Sequence, residues 1–196
     1  MACRSVSFDV NRRRTAAGFR ATRAHGSGRG VRSKDAAVPP SLLVPAPGRR
    51  AIADSDTAAM TRGITRGVCR HLANTGHAVL TEFKLPNRRR ADVVALDPDG
   101  QVVLVEVKSA LADYRADGKW REYLPYCDVF AFAVADTFPI DVLPPECGLL
   151  VADPWGAEVV RLMALAPLHP ARRRAMTLRF ARLAGERLHR LLDPPV

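Results

Sequence analysis

The chain has 196 residues, 47% of them hydrophobic, and a formal net charge of +10 at neutral pH. This length is typical of one domain with a tail. No apolar run approaches the roughly 18 residues of a membrane span, so we expect no membrane partner. The charge is uneven, because residues 1–50 carry 11 lysines and arginines against two acids. If the remaining domain binds a phosphate backbone, local arginine clusters rather than its overall charge would hold it.

The thiols and imidazoles suggest no metal motif. The four cysteines are Cys3, Cys69, Cys127 and Cys147, and no pair is separated by the two residues typical of a zinc site. The histidines form no zinc pattern either. We therefore expect reduced, mostly buried cysteines in a cytoplasmic protein, associated with the nucleoid if it binds DNA.

Residues 1–55 lack an apolar period and contain Arg12-Arg13-Arg14 and Pro39-Pro40. Such a segment cannot bury enough surface to fold alone, so we expect a disordered, arginine-rich tail before a domain at residues 56–196. The tail has three interpretations: a nucleic-acid-binding arm, an organelle transit peptide, or translated sequence upstream of a true start at Met60. We favour the last, because Met60 lies where folded patterning begins.

The first predicted helix runs from Asp54 or Asp56 to a stop at Asn74-Thr75-Gly76. A second face of this helix carries three arginines at four-residue spacing, Arg62, Arg66 and Arg70. They form either a solvated face or a stripe that contacts phosphates.

The next elements indicate a layered α/β architecture with a mixed sheet flanked by helices. Asp97-Pro98-Asp99-Gly100 carries a strong hairpin signal between two of the strands. The short runs Asp128–Ala135, apolar after its first residue, and Gly148–Ala152 are typical of buried parallel strands. The other predicted elements are strands at His77–Leu85, Ala91–Leu96, Gln101–Ser109 and Glu158–Met163, and helices at Asp113 to about Tyr126 and Pro170 to Leu192.

Three charged side chains on the predicted hairpin indicate a catalytic site. Glu106 and Lys108 point to one face of their strand, and Asp92 on the preceding strand can approach them. Charges at the end of a buried strand need a partner or an ion. Two carboxylates offer hard oxygen ligands to Mg²⁺, which activates water, and the lysine can neutralise charge that develops on a phosphate. This is a minimal phosphodiesterase site.

The segment Arg88-Arg89-Arg90 precedes Asp92 in the loop between two predicted strands. In that position the arginines could clamp DNA phosphates. By contrast, we expect Trp120 in the core and Asp128 in a structural role.

Several motifs resemble the MmcB-related bacterial DNA repair proteins of the PD-(D/E)xK nuclease superfamily, over about residues 60–192. They are Ile64-Thr65-Arg66-Gly67-Val68, Arg89-Arg90-Ala91-Asp92, Glu106-Val107-Lys108-Ser109, Lys119-Trp120, Tyr126-Cys127-Asp128, Leu149-Leu150-Val151-Ala152-Asp153 and Ala171-Arg172-Arg173-Arg174. The resemblance implies a restriction-endonuclease-like fold with an α-β-β-β-α-β core, and a role in DNA repair.

If the roles of the family's residues are transferred to the matching positions, the resemblance implies that Asp92 and Glu106 bind Mg²⁺ or Mn²⁺. It also implies that Lys108 is the catalytic or phosphate-neutralising base. The carbonyl of Val107 would lie near the metal. Many superfamily members carry an acid on the first helix, where this chain has none after Asp56, and Glu82 on the first strand could replace it.

The helix after the Glu-x-Lys strand often supplies polar groups to such sites. Lys119 and Tyr123, four residues apart, would share one face of that helix and contact DNA together with the arginines.

The sequence therefore favours a Mg²⁺-dependent DNA endonuclease acting in repair. One alternative is a non-catalytic DNA-binding repair factor of the same fold. Another is an adaptor that binds other repair proteins through the C-terminal helix. A homodimer would suit double-strand cutting, although no sequence feature requires one.

Overall fold

The structure, a computed structural model, describes residues 49–116, 118–162 and 165–194. The side chains of residues 49–55 and 116 are not part of that description, so most of the expected tail lies outside the described residues. The helices are α1 (Arg49–Asn74), α2 (Leu111–Ala116) and α3 (Pro170–Leu192). The strands are β1 (Ala78–Lys84), β2 (Arg90–Leu96), β3 (Val102–Lys108), β4 (Val129–Val134), β5 (Gly148–Ala152) and β6 (Ala157–Arg161). Short 3₁₀ turns lie at Trp120–Glu122, Leu124–Tyr126 and Ile140–Val142.

The strands described form a mixed sheet in the order β1-β2-β3-β4-β5-β6. β1, β2 and β3 make an antiparallel meander, β3, β4 and β5 are parallel, and β6 returns antiparallel to β5. The parallel pairs need crossovers, which α2 and the 3₁₀ turns supply between β3 and β4. The predicted α/β class, the α-β-β-β-α-β order and the sheet flanked by helices are confirmed.

Each face of the sheet has its own apolar core, so the central strand β3 is buried on both sides. On one face, Ile64, Val68 and Leu72 of α1 pack against the sheet. On the other, Met176 and Phe180 of α3 pack with the aromatic side chains around Phe130. A strand buried on both faces can hold charged side chains only at its end, where Glu106 and Lys108 lie.

The helix expected from Asp113 to about Tyr126 is wrong: α2 ends at Ala116 and 3₁₀ turns follow. Pro125 lacks the N–H that a longer helix would need. In a 3₁₀ turn, residues three apart share one side, so Trp120 and Tyr123 both lie against Phe130, each with ring centroids 5.8 Å from it. The expected core position of Trp120 is confirmed.

The first helix also begins earlier than expected, at Arg49 rather than at Asp54 or Asp56. Within the described residues, no helix is both long and apolar enough to cross a lipid bilayer.

Asp128 has the structural role expected of it. Its carboxylate is buried and accepts hydrogen bonds from the backbone N–H groups of Val102, at 2.7 Å, and Leu168, at 2.8 Å. Arg173 of α3 donates to both carboxylate oxygens, at 2.9 and 2.5 Å. This anion offsets the unfavourable position of an arginine in the first turn of a helix. One carboxylate thereby ties β3, the segment before α3, and α3 together.

Candidate active site

The hairpin of β2 and β3 places Asp92, Glu106 and Lys108 on one face at one end of the sheet. Val93 pairs with Val105, so Asp92 and Glu106 occupy the next opposed positions. The backbone ladder ends there, and the Asp92 carboxylate instead accepts the Val107 N–H at 2.7 Å. Lys108 Nζ lies 3.3 Å from Glu106 Oε1. The three residues predicted from the sequence are therefore neighbours in space, and their catalytic roles stay predictions.

The site is shielded from solvent at its base. The side chains of Glu106 and Lys108 are 8% and 4% exposed, and they form an ion pair. Burial raises the pKa of Asp92, while the Val107 N–H and the Lys108 charge lower it. Glu82 and Asp113 raise the pKa of Asp92 further by charge repulsion. Burial and nearby negative charge both destabilise the ionised form of Asp92, and a bound cation would stabilise that form.

An open cleft of about 490 Å³ surrounds these side chains. Cationic side chains from the β1–β2 loop and its flanking strands line it beside the acids, so the cleft offers both signs of charge. The lining residues are Thr61, Lys84, Arg88, Arg89, Arg90, Asp92, Glu106, Val107, Lys108, Asp113 and Tyr123.

The arginine loop before β2 is held in place by specific contacts. Arg89 makes a bidentate ion pair with Glu122, at 2.7 and 2.9 Å. The Tyr123 hydroxyl donates to the Arg90 carbonyl at 3.3 Å. Arg88 is exposed and adopts a left-handed backbone with φ of 68°. The loop therefore presents its cations to the cleft from a fixed backbone.

Glu82 is not positioned with Asp92 and Glu106 as a third metal ligand. The register places it opposite Asp92, but its left-handed backbone, with φ of 52°, interrupts the pairing there. Its carboxylate binds Arg90 at 2.7 Å. Across the described residues, no group of three or more His, Cys, Asp or Glu side chains is arranged to hold a metal ion.

Asp113 is an acid that the sequence reasoning missed. It lies in the first turn of α2, lines the cleft and acts on Asp92 through its charge. An acid in the first turn of a helix is common because it complements the helix dipole. Its only other distinction in the sequence is its place five residues after Lys108.

Asp92 and Glu106 are the two side chains that could hold Mg²⁺ or Mn²⁺. Mg²⁺ in enzymes is commonly bound by one or two carboxylates together with water and substrate phosphate, and Asp92 and Glu106 are two such carboxylates. Val107, whose carbonyl was the third expected donor, also lines the cleft. Lys108 competes for Glu106, because its ammonium already neutralises that carboxylate.

Of the remaining predicted DNA contacts, Arg66 and Lys119 do not line this cleft, whereas Tyr123 does. Arg66 lies beside Trp155, with its guanidinium carbon 5.7 Å from the ring centroid. Lys119 is exposed but is not among the lining residues. Tyr123 lines the cleft, although it belongs to the core and is only 5% exposed. Lys119 and Tyr123 share no α-helical face, because the helix expected over them is absent.

Comparison with known proteins places the chain in a family. A family model described as "DNA repair protein MmcB-like" matches residues 33–195. The chain therefore belongs to the MmcB-like family of DNA repair proteins. The match begins well before residue 60, so the expected extent of the resemblance was too short at its N-terminal side.

A solved structure supports the fold. SPO1766, a protein of unknown function from Silicibacter pomeroyi, is 42% identical, with a TM-score of 0.67. The alignment covers 68% of this chain and 92% of that one. No curated protein matches this chain.

Proposed function

We propose that this protein is a divalent-metal-dependent DNA endonuclease of the PD-(D/E)xK type, acting in DNA repair. The observation that carries the proposal is the convergence of Asp92, Glu106 and Lys108 on one face of the β2–β3 hairpin, inside a cleft with cationic walls. Membership of a DNA repair family supports DNA as the substrate. The phosphodiester bond is the DNA linkage that a site of acids and cations is suited to hydrolyse.

In this proposal, Asp92 and Glu106 hold the cation. When bound, Mg²⁺ or Mn²⁺ supplies positive charge beside the scissile phosphate and makes water more acidic. Lys108, held by Glu106, stabilises negative charge that develops on the phosphate oxygens. Arg88 and Arg90, on the wall, position the DNA strand through its phosphates.

The fixed loop reduces the cost of binding. The bidentate pair between Arg89 and Glu122 holds the loop that carries Arg88 and Arg90, so little backbone freedom remains to be lost there when a phosphate arrives. Because the Arg90 pair is exposed, a phosphate can compete with Glu82 for that guanidinium.

A non-catalytic DNA-binding repair factor is the second candidate, and one observation favours it. Among the residues that the structure describes, no third acid joins Asp92 and Glu106 in a metal-binding group, and Lys108 already neutralises Glu106. A weakly held cation would leave a cleft that binds phosphates without cleaving them.

Cleavage of a DNA panel separates the two candidates. Branched, flapped, single-stranded and plain duplex DNAs are incubated with Mg²⁺ or Mn²⁺ and with wild type, Glu106→Gln or Lys108→Met protein. The matched control is Arg182→Gln, an exposed arginine of α3 away from the cleft lining. A nuclease loses roughly 100-fold or more of its cleavage rate in both cleft variants and none in the control. Salt-sensitive binding without cleavage by any protein would establish the binding factor instead.

A further inference from the structure

A second surface of the molecule centres on the turn between β5 and β6. Trp155 lies in this turn and is 73% exposed, although tryptophan is usually buried to a large extent. The turn is well fixed, because the Asp153 carboxylate accepts the N–H groups of Trp155, at 2.7 Å, and Gly156, at 2.9 Å. These two bonds lower the pKa of Asp153, so the carboxylate stays ionised and keeps the turn closed at neutral pH. The exposed ring is thus carried by an ordered backbone.

The same turn is pressed closely against α1. A Cβ atom at Gly67 would lie 1.9 Å from the Asp153 carbonyl oxygen and 2.4 Å from that of Gly156. At Gly63, a Cβ would lie 3.0 Å from the ring of Pro154. Only glycine allows this approach, which brings Trp155 beside the arginine stripe of α1.

Two arginines of that stripe flank the indole. The guanidinium carbons of Arg66 and Arg70 lie 5.7 and 5.6 Å from the Trp155 ring centroid. Arg70 also donates to the Pro154 carbonyl at 3.4 Å. Arg62 is exposed one turn earlier along α1. The stripe therefore combines a stacking surface with three cations.

A shallow depression of about 530 Å³ adjoins the ring. Its lining includes the apolar side chains of Val151 and Ala152 and the carboxylates of Asp136, Asp153 and Glu158. A nucleobase has the matching composition: an apolar face, and ring or amino N–H groups that donate hydrogen bonds to carboxylates.

We propose that Trp155, Arg66 and Arg70 form a binding site for single-stranded DNA, separate from the cleft. One base stacks on the free surface of Trp155, and the two arginines neutralise adjacent phosphates. Duplex DNA keeps its base faces inside the stack, so only a single-stranded segment or an extruded base can use the indole. The two arginines at the ring, with Arg62 one turn earlier on α1, favour a polyanion over a protein partner.

The position of this site relative to the cleft fits one continuous strand. Thr61 of α1 lines the cleft. With a rise of 1.5 Å per residue, Arg66 and Arg70 lie about 7.5 and 13.5 Å farther along the helix axis. A single strand that leaves the cleft along α1 would meet the stripe and then the ring.

Binding measurements test the site independently of cleavage, because every protein carries Glu106→Gln. Labelled oligothymidine is titrated by fluorescence anisotropy, and a duplex of mixed sequence is titrated in parallel. We expect Trp155→Ala to weaken binding of the single strand by about 5- to 150-fold, the usual effect of losing one stacking contact. Trp155→Phe should retain most of the affinity, because it keeps an aromatic face.

The arginines are tested by salt dependence. Replacing both Arg66 and Arg70 with glutamine should reduce the slope of log affinity against log salt by about 1.4 for single strands, whereas Arg182→Gln should leave it unchanged. Trp155→Ala protein that binds the single strand within about two-fold of its parent would overturn the proposal. Equal losses of affinity for duplex and single strand would overturn it as well.

These outcomes are distinct from failure of the proposed nuclease function. A protein that cleaves no DNA, but loses single-strand binding on Trp155→Ala, keeps this site without the nuclease. A nuclease whose single-strand binding is indifferent to Trp155 keeps the cleft without this site.

Discussion

Replacing Lys108 by methionine tests whether the cleft contains a coupled, buried ion pair. At 3.3 Å, and with an effective dielectric constant of about 20, the Lys108–Glu106 attraction is about 5 kcal/mol. Removing one member of a buried pair leaves the other charge uncompensated, which typically costs about 3–5 kcal/mol. Methionine keeps most of the lysine volume, so little of the loss comes from packing. We expect a fall in melting temperature of roughly 10 °C.

The double variant Glu106→Gln/Lys108→Met supplies the control. Because it removes both charges, it should be more stable than Lys108→Met alone, by about 2 kcal/mol or more. The assay is thermal and urea unfolding of wild type, both single variants and the double variant. Additive losses of stability, with no coupling between the two positions, would refute the reasoning from the ion pair. Mn²⁺ should raise the melting temperature of Lys108→Met more than that of wild type, because Glu106 is then free of its competitor.

Further changes test other parts of the structure. Gly67→Ala should cost several kcal/mol of stability because its Cβ would overlap the Asp153 carbonyl, whereas Gly185→Ala, which meets nothing within 4 Å, should stabilise α3 by about 0.5–1 kcal/mol; chemical denaturation compares them. Asp128→Ala should destabilise by about 3–5 kcal/mol, seen in the same assay, since it orphans two buried N–H groups and an arginine; a loss below about 1 kcal/mol would contradict this. Cation binding needs an ionised Asp92, and the pKa of this carboxyl is raised. The cleavage rate should therefore begin to fall at a pH above the ordinary pKa range of an aspartate. A pH–rate profile in which the rate is undiminished at pH 4 would contradict the role of Asp92 as a cation ligand.

Stability should show the opposite pH dependence at Asp92. A folded-state pKa above the unfolded value means that the ionised form disfavours folding, so stability from this group rises as the pH falls through the folded pKa. Asp92→Asn keeps an oxygen for the Val107 N–H and should therefore not lower the melting temperature at neutral pH, although it should abolish cleavage.

Most of the helices and strands could be predicted from local signals in the sequence. The Asp97–Gly100 turn, with Gly100 at φ of 79°, predicts the hairpin, and the apolar run at Val102–Val105 predicts a strand buried on both faces. Because side chains alternate along a strand, these two facts alone align Asp92 with Glu106 and Lys108. The candidate catalytic residues could be predicted because they are local in sequence.

Contacts between distant residues could not be predicted. The 3₁₀ turns after α2 follow from the way Trp120 and Tyr123 reach Phe130, which helix propensity does not encode. The meeting of Arg66 with Trp155 depends on the close approach of α1 to the β5–β6 turn, and a glycine at residue 67 says nothing about its partner. Asp113 became a candidate only when the structure placed it beside Asp92.

The hairpin has a consequence for how the family can vary in length. One β2–β3 hairpin carries all three residues, Asp92, Glu106 and Lys108. The turn at residues 97–100 therefore sets the register in which their strands pair. A deletion or insertion of one residue there would shift the register and turn one strand's side chains to the opposite face. The segment between β4 and β5 carries no residue of the cleft lining. Insertions and deletions among relatives should therefore accumulate in that segment and be absent from the hairpin turn.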